Sequence, residues 1–283
     1  MLNYQQPFES LAGKVCVITG GAGLIGEALA RGVASVGGKL ALLGRNGAKA
    51  EQLARQLQQE FGIEAIGIGA DVTDRDSLEL AREMIHTRLG KISFLVNCAG
   101  GNHPDATASR GRMTADKDMT NSFFELTESG FKHVMDLNYL GTILPTQTFA
   151  QDMVENGEGV VVNLSSVSAF LPVTKVAGYS AAKAAINNFT KWLAVHFAET
   201  GVRVNAISPG FFLTEQNRFL LTEKETGELT DRGRTIISQT PMKRFGEVEE
   251  LAGTLLYLLS PMAKFVTGEV VLVDGGFTAF GRV

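Results

Sequence analysis

Short apolar runs alternate with longer amphipathic stretches along most of the chain, and this alternation predicts strands and helices in turn. The apolar runs are continuous rather than alternating with polar residues, as in strands that are buried on both faces of a parallel sheet. The predicted strands are residues 14–19, 39–43, 65–70, 92–97, 160–164, 202–207 and 270–273. The predicted helices are residues 24–36, 48–60, 77–89, 179–199 and 248–259, with a further helix around Asn138.

Repetition of strand and helix in this order is typical of a doubly wound α/β fold. We therefore expect one Rossmann-type domain over residues 1–283, with a parallel sheet and helices on both faces. Two stretches, residues 101–118 and 211–241, do not fit the alternation. Each follows the carboxyl end of a strand, where ligands bind in open α/β sheets, so both are predicted to be substrate loops.

Composition and charge exclude several classes of protein. Lys and Arg number 26 and Asp and Glu 30, a net charge of −4 that disfavours a nucleic-acid partner. No apolar run approaches the ~18 residues that span a bilayer, and the first residues do not resemble a secretory signal. We expect a cytoplasmic protein with two reduced cysteines and no membrane partner. Zinc-type spacing of Cys and His is absent, so no metal site is expected.

A glycine-rich turn follows the first predicted strand and opens the first helix. Residues 19–26 read TGGAGLIG, which contains the spacing G-x-G-x-x-G. Glycines let the backbone approach a pyrophosphate, and the helix N-terminus offers free N–H groups. The predicted dinucleotide contacts are Gly20, Gly21, Gly23, Leu24, Ile25 and Gly26. The alternative is a glycine-rich turn that binds no ligand.

The ends of the second and third strands bear on the choice of cofactor. An NAD site usually has an acidic residue after the second strand, but this chain has Gly44 followed by Arg45. A guanidinium suits the 2′-phosphate of NADP, so NADP is favoured over NAD, although Arg45 could equally be a surface residue. Asp71, followed by Val72, is predicted to contact the adenine. The alternative for Asp71 is a turn aspartate, with the next residues capping a helix.

Four polar residues are spaced in a way that suggests catalysis. Tyr179 and Lys183 are four apart on a predicted helix and therefore share a face. Ser166 lies just past the fifth strand, and Asn138 lies on an earlier helix. A Tyr-x-x-x-Lys pair alone is common in proteins. It indicates catalysis only because the serine and the asparagine accompany it.

Together these motifs resemble the short-chain dehydrogenase/reductase family over nearly the whole chain. Residues 19–26 resemble its TGxxxGxG turn, residues 97–100 (NCAG) its NNAG, and residues 209–210 and 274–276 its later PG and DGG motifs. The chain departs from the family at Leu24, in place of the middle glycine, and at Cys98, in place of the second asparagine. The resemblance implies a catalytic tetrad of Asn138, Ser166, Tyr179 and Lys183. It also implies cofactor contacts at Asn97, Ala99, Gly100, Tyr179, Lys183, Pro209, Gly210, Phe212 and Thr214, although Thr214 could instead cap a helix.

The chemistry of these residues fits carbonyl reduction by a nicotinamide cofactor. Tyr179 supplies a proton to the carbonyl oxygen, and the Lys183 ammonium is expected to lower the tyrosine pKa from its usual value of about 10. Ser166 donates a hydrogen bond to the substrate oxygen. The resemblance further implies that Lys183 contacts the nicotinamide ribose and that Asn138 holds a water for proton relay.

Within the family, further motifs resemble the sugar-acid branch that interconverts D-fructuronate and D-mannonate. They include residues 100–107, 138–142, 144–147, 192–197, 209–212, 239–242 and 244–246. A sugar acid needs a cation for its carboxylate and polar groups for its hydroxyls. The candidate substrate contacts are Asn102, His103, Ser166, Lys175, Asn217 and Arg218, although most could equally be surface loop residues. Packing or surface roles are favoured for His86, His133 and His196.

Other functions are compatible with some of the same motifs. The same chemistry could act on another keto-sugar, such as 5-keto-gluconate, or on a ketoacyl thioester. A non-catalytic NADP(H)-sensing regulator would not need the tyrosine proton donor. The family resemblance also implies a homotetramer, packed through the helices that carry Tyr179 and Asn138 and through the C-terminal segment 277–283.

Overall fold

A single parallel sheet in the order β3-β2-β1-β4-β5-β6-β7 organises the chain. The computed structural model describes residues 6–115, 118–120, 122–213, 221–223 and 227–281. Every strand pair in the sheet is parallel. The strands are β1 Val15–Thr19, β2 Lys39–Gly44, β3 Ala65–Gly69, β4 Ile92–Asn97, β5 Gly159–Leu164, β6 Val202–Pro209 and β7 Val270–Val273.

Helices cover both faces of the sheet. The α-helices are α1 Leu24–Ser35, α2 Gly47–Phe61, α3 Arg75–Arg88, α4 Glu128–Met135, α5 Gly141–Asn156, α6 Ala177–His196, α7 Asp231–Gln239 and α8 Glu250–Leu259. A π-helical turn, Asp136–Leu140, joins α4 to α5. The 3₁₀ turns are Glu9–Leu11, Pro104–Ala106, Phe123–Glu125, Val167–Ala169 and Pro261–Ala263.

The two faces of the sheet carry separate hydrophobic cores. Alternate side chains of β1 point to opposite faces, so Cys16 and Ile18 pack on one side, with α1, α2 and α8. Val15 and Val17 pack on the other, with α3, α5 and α6. All five residues of β1 are buried, which is why the strand reads as a continuous apolar run. The doubly wound parallel fold predicted from the sequence is confirmed.

The largest difference from the prediction lies in the segment 211–241, which was expected to be irregular. It contains α7, whose N-terminus is capped by the Thr230 hydroxyl accepting the Gly233 N–H. Only two residues of α7 are buried, so its sequence has little apolar periodicity to reveal a helix. Smaller differences concern the boundaries of two elements. The last predicted helix begins at Glu250, and β6 continues to Pro209.

Two features are absent from the described residues. No helix there is long and apolar enough to cross a membrane. In the same residues, no group of three or more His, Cys, Asp or Glu side chains is arranged to hold a metal ion.

Candidate functional site

A cleft of about 550 Å³ opens at the carboxyl end of the sheet. It lies above β1, β4, β5 and β6, where the sequence places the predicted ligand-binding motifs. The cleft brings together these predicted residues: Gly20, Gly23, Leu24, Ile25, Gly26, Ala99, Gly100, Ser166, Tyr179, Lys183, Pro209, Gly210 and Phe212.

One wall of the cleft is a cradle of glycines that leaves no room for side chains. Gly20 has a φ of +64°, and a Cβ there would lie 2.9 Å from the Ala99 Cα. A Cβ on Gly26 would lie 2.3 Å from the Gly20 carbonyl oxygen. Helix α1 begins after Gly23 with no side-chain cap, so its first N–H groups face the cleft unpaired by any side chain. This cradle fits a dinucleotide pyrophosphate, and α1 supplies the positive end of its dipole.

The departure at Leu24 changes this cradle little. Leu24 is the first residue of α1 and lines the cleft with Ile25. Gly21 instead faces β2: its N–H donates to the Leu43 carbonyl, and a Cβ would lie 3.0 Å from the Leu42 Cβ. Gly21 is therefore required for packing against β2, and its side-chain position does not line the cleft.

The predicted adenosine contacts lie beyond the cleft, at the ends of β2 and β3. Arg45 is exposed. Asp71 accepts hydrogen bonds from the Thr73 hydroxyl at 2.7 Å and the Thr73 N–H at 2.8 Å, which lower its pKa, with a smaller contribution from the Arg45 charge. Asp74 caps α3, as the alternative interpretation expected. Val72 is buried, with its Cγ2 next to Gly141 at the start of α5.

Ser166, Tyr179 and Lys183 form one contact group. The Ser166 hydroxyl lies beside the Tyr179 phenol, whose pKa it lowers, and accepts the Ser168 N–H at 3.2 Å. The Lys183 Nζ donates to the Leu164 carbonyl at 2.8 Å and lies 5.5 Å from the centre of the Tyr179 ring. Their side chains meet because α6 packs its Tyr179–Lys183 face against the end of β5.

Burial controls the ionisation of this group. It raises the pKa of Tyr179, and the hydrogen bond from Ser166 opposes that change only in part. It lowers the pKa of Lys183 to about 8. The Tyr179 pKa is therefore raised in the protein alone, where the sequence led us to expect a lowered one, because desolvation of the phenolate dominates. The phenol is protonated at neutral pH, as a proton donor must be. Burial likewise raises the pKa of Cys98 to about 12, so this thiol is neutral.

Asn138 lies in the π-helical turn and is fully buried. Its Oδ1 accepts the Gly101 N–H at 3.1 Å, and its Nδ2 donates to the carbonyls of Gly101 and Val134 at 2.7 and 2.8 Å. The side-chain amide thus fixes the segment that follows β4. A Cβ at Gly100 would lie 2.7 Å from the Asn138 Oδ1 and 3.2 Å from the Lys183 Nζ, so this glycine separates the two side chains.

Asn97 has its side chain inside the molecule. It donates to the Thr146 hydroxyl and to the Asn163 Oδ1, both at 2.9 Å, and so ties β4 to α5 and β5. Any contact with a cofactor would therefore come from its backbone.

The predicted substrate residues are not all brought to the cleft. Asn102 donates to the Thr107 hydroxyl, and His103 packs against His133 with ring centres 4.7 Å apart and ring planes tilted by 51°. Lys175 has a φ of +80°, and its carbonyl accepts the Ala108 N–H. These contacts put the three residues in loops beside α4 and α6. Thr214, Asn217 and Arg218 lie outside the described residues.

Several cleft residues were not predicted as contacts from the sequence. They are Cys98, Gly101, Leu164, Ser165 and Phe211. Each lies within two residues of a predicted residue, and that proximity in the sequence was the available signal, because the residues around one strand end lie close together. The sequence favoured Ser166 over Ser165 by spacing alone and assigned Ser165 no role.

Comparison with known proteins places the chain among oxidoreductases. A family model described as enoyl-(acyl carrier protein) reductase matches residues 21–278. The chain is 48% identical over 276 residues to an uncharacterized oxidoreductase, UxuB, of Bacillus subtilis. That alignment covers 97% of this chain and 98% of the relative.

Solved structures give the same result. The fold is similar to that of a Haemophilus influenzae protein, provisionally named D-mannonate oxidoreductase, with NAD bound, at a TM-score of 0.92 and 43% identity. The match covers 96% of this chain and 98% of that one. A gluconate 5-dehydrogenase from Burkholderia cenocepacia, in complex with NADP and tartrate, matches at a TM-score of 0.82 and 30% identity. It covers 98% of this chain and 99% of that one.

Proposed function

The chain belongs to the short-chain dehydrogenase/reductase family and is an NAD(P)-dependent oxidoreductase, and from this premise we propose that it interconverts D-fructuronate and D-mannonate. The observation that carries the proposed chemistry is the contact between Ser166 and Tyr179 beside the buried Lys183. The substrate is supported by the similarity to the Haemophilus influenzae protein named for mannonate, which extends over 96% of this chain.

Each residue of the contact group has a distinct task. When bound, the reduced nicotinamide supplies a hydride to the keto carbon. Tyr179 transfers its phenolic proton to the keto oxygen, so that the carbonyl becomes a secondary alcohol. Ser166 can donate to the same oxygen, because the Ser168 N–H holds its own oxygen in place and its hydroxyl proton can rotate from Tyr179 to the substrate. The Lys183 ammonium stabilises the phenolate that remains.

Asn138 contributes by holding the backbone in this proposal. Its amide bonds to Gly101 keep the turn after β4 against the cleft, next to Gly100. The role of binding a relay water, expected from the sequence, would then fall to groups other than the side-chain amide.

The substrate carboxylate needs a cation near the mouth of the cleft. We place the substrate carboxylate on the side of His103 and Lys175. The loops of these two residues meet where the Ala108 N–H donates to the Lys175 carbonyl. Asn102 lies next to His103 and could contact a hydroxyl. Asn217 and Arg218 remain candidates from the sequence alone.

The experiment that tests the reaction is oxidation of NADPH and NADH at 340 nm with D-fructuronate, other keto-sugar acids, neutral ketoses and a ketoacyl thioester. We expect D-fructuronate to give the highest kcat/KM. Tyr179→Phe should lower kcat by about 100-fold or more, because it removes the proton donor, and should leave cofactor affinity nearly unchanged. Full activity in Tyr179→Phe would contradict the mechanism. A higher kcat/KM with another ketone would contradict the proposed substrate.

A second substrate, 5-keto-gluconate, is favoured by the likeness to the Burkholderia gluconate 5-dehydrogenase. Reduction of 5-keto-gluconate would use the same catalytic residues. The comparison of kcat/KM across the substrate panel therefore distinguishes 5-keto-gluconate from D-fructuronate. A cofactor-sensing regulator is disfavoured, because it has no use for the Ser166–Tyr179–Lys183 contact group. Tight cofactor binding without turnover on the whole panel would support it.

For the cofactor we propose that NADP(H) is preferred, on the basis of Arg45 at the end of β2. The Haemophilus relative with NAD bound favours NAD, and the Burkholderia one was solved with NADP. Arg45→Ala should weaken NADPH binding by about 10- to 150-fold and leave NADH binding unchanged, because a charge-assisted bond to the 2′-phosphate is worth roughly 1.5–3 kcal/mol. Equal use of both cofactors by the wild type would rule out this role for Arg45.

A further inference from the structure

Polar contacts connect the end of β5 to one face of α6, and we call this set of contacts the polar seam. Tyr179, Lys183 and Asn187 are spaced by four and therefore lie on the same face of the helix. The pairs of the polar seam are Ser166 with Tyr179, the Leu164 carbonyl with Lys183, Ser165 with Asn187, and Asn163 with Thr190. Two of these pairs contain the proposed catalytic groups, and Ser165–Asn187 adjoins them.

Ser165 is held from two sides. Its hydroxyl donates to the Asn187 Oδ1 at 2.5 Å, with a longer contact of 3.4 Å to the Lys183 carbonyl. Its N–H donates to the Ile207 carbonyl of β6 at 2.8 Å. The side chain is 4% exposed, so water cannot easily replace either partner. Ser165 thus fixes the turn that leads into Ser166 relative to both β6 and α6.

We propose that Ser165 and Asn187 are positioning residues that set the place of the Ser166 hydroxyl relative to the Tyr179 phenol. The catalytic part of this inference rests on the proposed function. Asn187 is one helical turn beyond Lys183, and Ser165 is bonded directly to Ser166. Breaking their hydrogen bond frees the turn to shift against α6. Proton transfer and oxyanion stabilisation are sensitive to displacements of this kind.

Substitutions on α6 provide a matched test. Asn187→Leu removes the acceptor at similar volume, and Asn187→Asp keeps an Oδ1. Asn188→Leu makes the same change at the next residue, which is exposed. We expect Asn187→Leu to lower kcat about 10- to 100-fold with the cofactor KM unchanged. Asn187→Asp should recover most of kcat, and Asn188→Leu should match the wild type.

The partner substitution tests whether the two residues act as one unit. Ser165→Ala should give the same loss of kcat as Asn187→Leu, and the double variant Ser165→Ala/Asn187→Leu should lose no more than either alone. Additive losses would show that the residues act independently and would overturn the proposal. So would a lowered melting temperature with kcat unchanged, since that result indicates a purely structural contact.

A spectroscopic readout separates this inference from the choice of substrate. The chain has four tyrosines, so ¹³Cζ-tyrosine labelling gives few resonances, and Tyr179→Phe assigns the one from Tyr179. If Ser165–Asn187 positions Ser166, the Tyr179 resonance shifts in Asn187→Leu and stays in place in Asn188→Leu. An unchanged Tyr179 resonance in Asn187→Leu would overturn the proposal, whatever ketone the enzyme reduces. Failure of the wild type on the sugar-acid panel would overturn only the proposed substrate.

Discussion

Lys183 is a buried cation, with 4% of its surface exposed and its Nζ bonded to the Leu164 carbonyl. Desolvation of the ammonium lowers its pKa from 10.5 to about 8. Because the unfolded chain holds this proton more tightly, burying the charge costs stability at neutral pH. The cost is on the order of 3 kcal/mol at 1.36 kcal/mol per pKa unit. The residue proposed to stabilise the phenolate is therefore itself a source of instability.

Replacing this lysine should stabilise the fold while it stops the reaction. We expect Lys183→Met to raise the free energy of unfolding by about 1–3 kcal/mol at pH 7 and to lower kcat by about 100-fold or more. The unfolded wild type binds more protons between pH 8 and 10.5, so its stability rises there and the advantage of the variant shrinks.

Urea unfolding at pH 7 and pH 9.5 measures both effects of Lys183→Met. Lys191→Met is the matched control, because Lys191 is exposed on the same helix. A variant less stable than the wild type at pH 7 would show that the bond to Leu164 outweighs the desolvation of the charge.

At the scale of elements, helix α3 is joined to α5 and β4 through the buried carboxylate of Asp152. Arg82 donates to one oxygen at 2.5 Å, and the His86 ring and the Ile92 N–H contact the other at 2.6 and 2.9 Å. Burial alone would raise the pKa of Asp152, but these hydrogen bonds outweigh it and lower the pKa. The carboxylate thus stays charged and organises three elements on the face of the sheet beneath α3 and α5.

Removing this carboxylate should strongly destabilise the fold. Asp152→Ala removes the carboxylate from the Ile92 N–H and from Arg82, which keeps only its bond to Gln151, and we expect a loss of about 3–5 kcal/mol in urea unfolding at pH 7. Glu155→Ala, on the same helix, breaks an exposed contact with Lys91 and should cost no more than about 1 kcal/mol. Equal losses would show that burial does not distinguish the two pairs. Because the pKa is lowered, the contribution of Asp152 is complete above its usual value of 3.8 and lost as pH falls below it.

The elements also show what the sequence could and could not predict. The strands were predictable because both sides of each are covered, which leaves an unbroken apolar run such as β1. The spacing of Ser166, Tyr179 and Lys183 was equally readable, since one helix face and one strand end bring them together. Helix α7 was missed because its capping by Thr230 is a local signal without an apolar stripe. The π-helical turn at Asn138 joins α4 directly to α5, and no residue pattern in the sequence predicts it.

At the scale of the molecule, the outer side of α6 exposes large apolar side chains. Trp192 is 58% exposed and Val195 78%. Trp192 stacks between Phe189 and His196 and lines an apolar groove between α5 and α6. Solvent-facing apolar surface of this kind is common at subunit contacts. It supports our proposal that the protein is a homotetramer packed through the helices that carry Tyr179 and Asn138.

A charge on this surface should break the assembly. We expect Val195→Arg to reduce the mass measured by light scattering after gel filtration, because an arginine would be desolvated in the contact. Gln56→Arg adds the same charge on the exposed side of α2 and should leave the mass unchanged. A tetramer that survives Val195→Arg would place the interface elsewhere on the protein. A monomeric wild type would show that this surface forms no subunit interface.

The strand order also has a consequence for the newborn chain on the ribosome. The strands β1, β2 and β3 are neighbours both in sequence and in space, so this part of the sheet can assemble early. The cleft is different, because its walls run from Gly20 to Phe212. A nascent chain that ends before Phe212 lacks part of the wall that would enclose a dinucleotide, however well its first strands have paired. The complete cleft therefore forms late in synthesis, well after the first strands can pair.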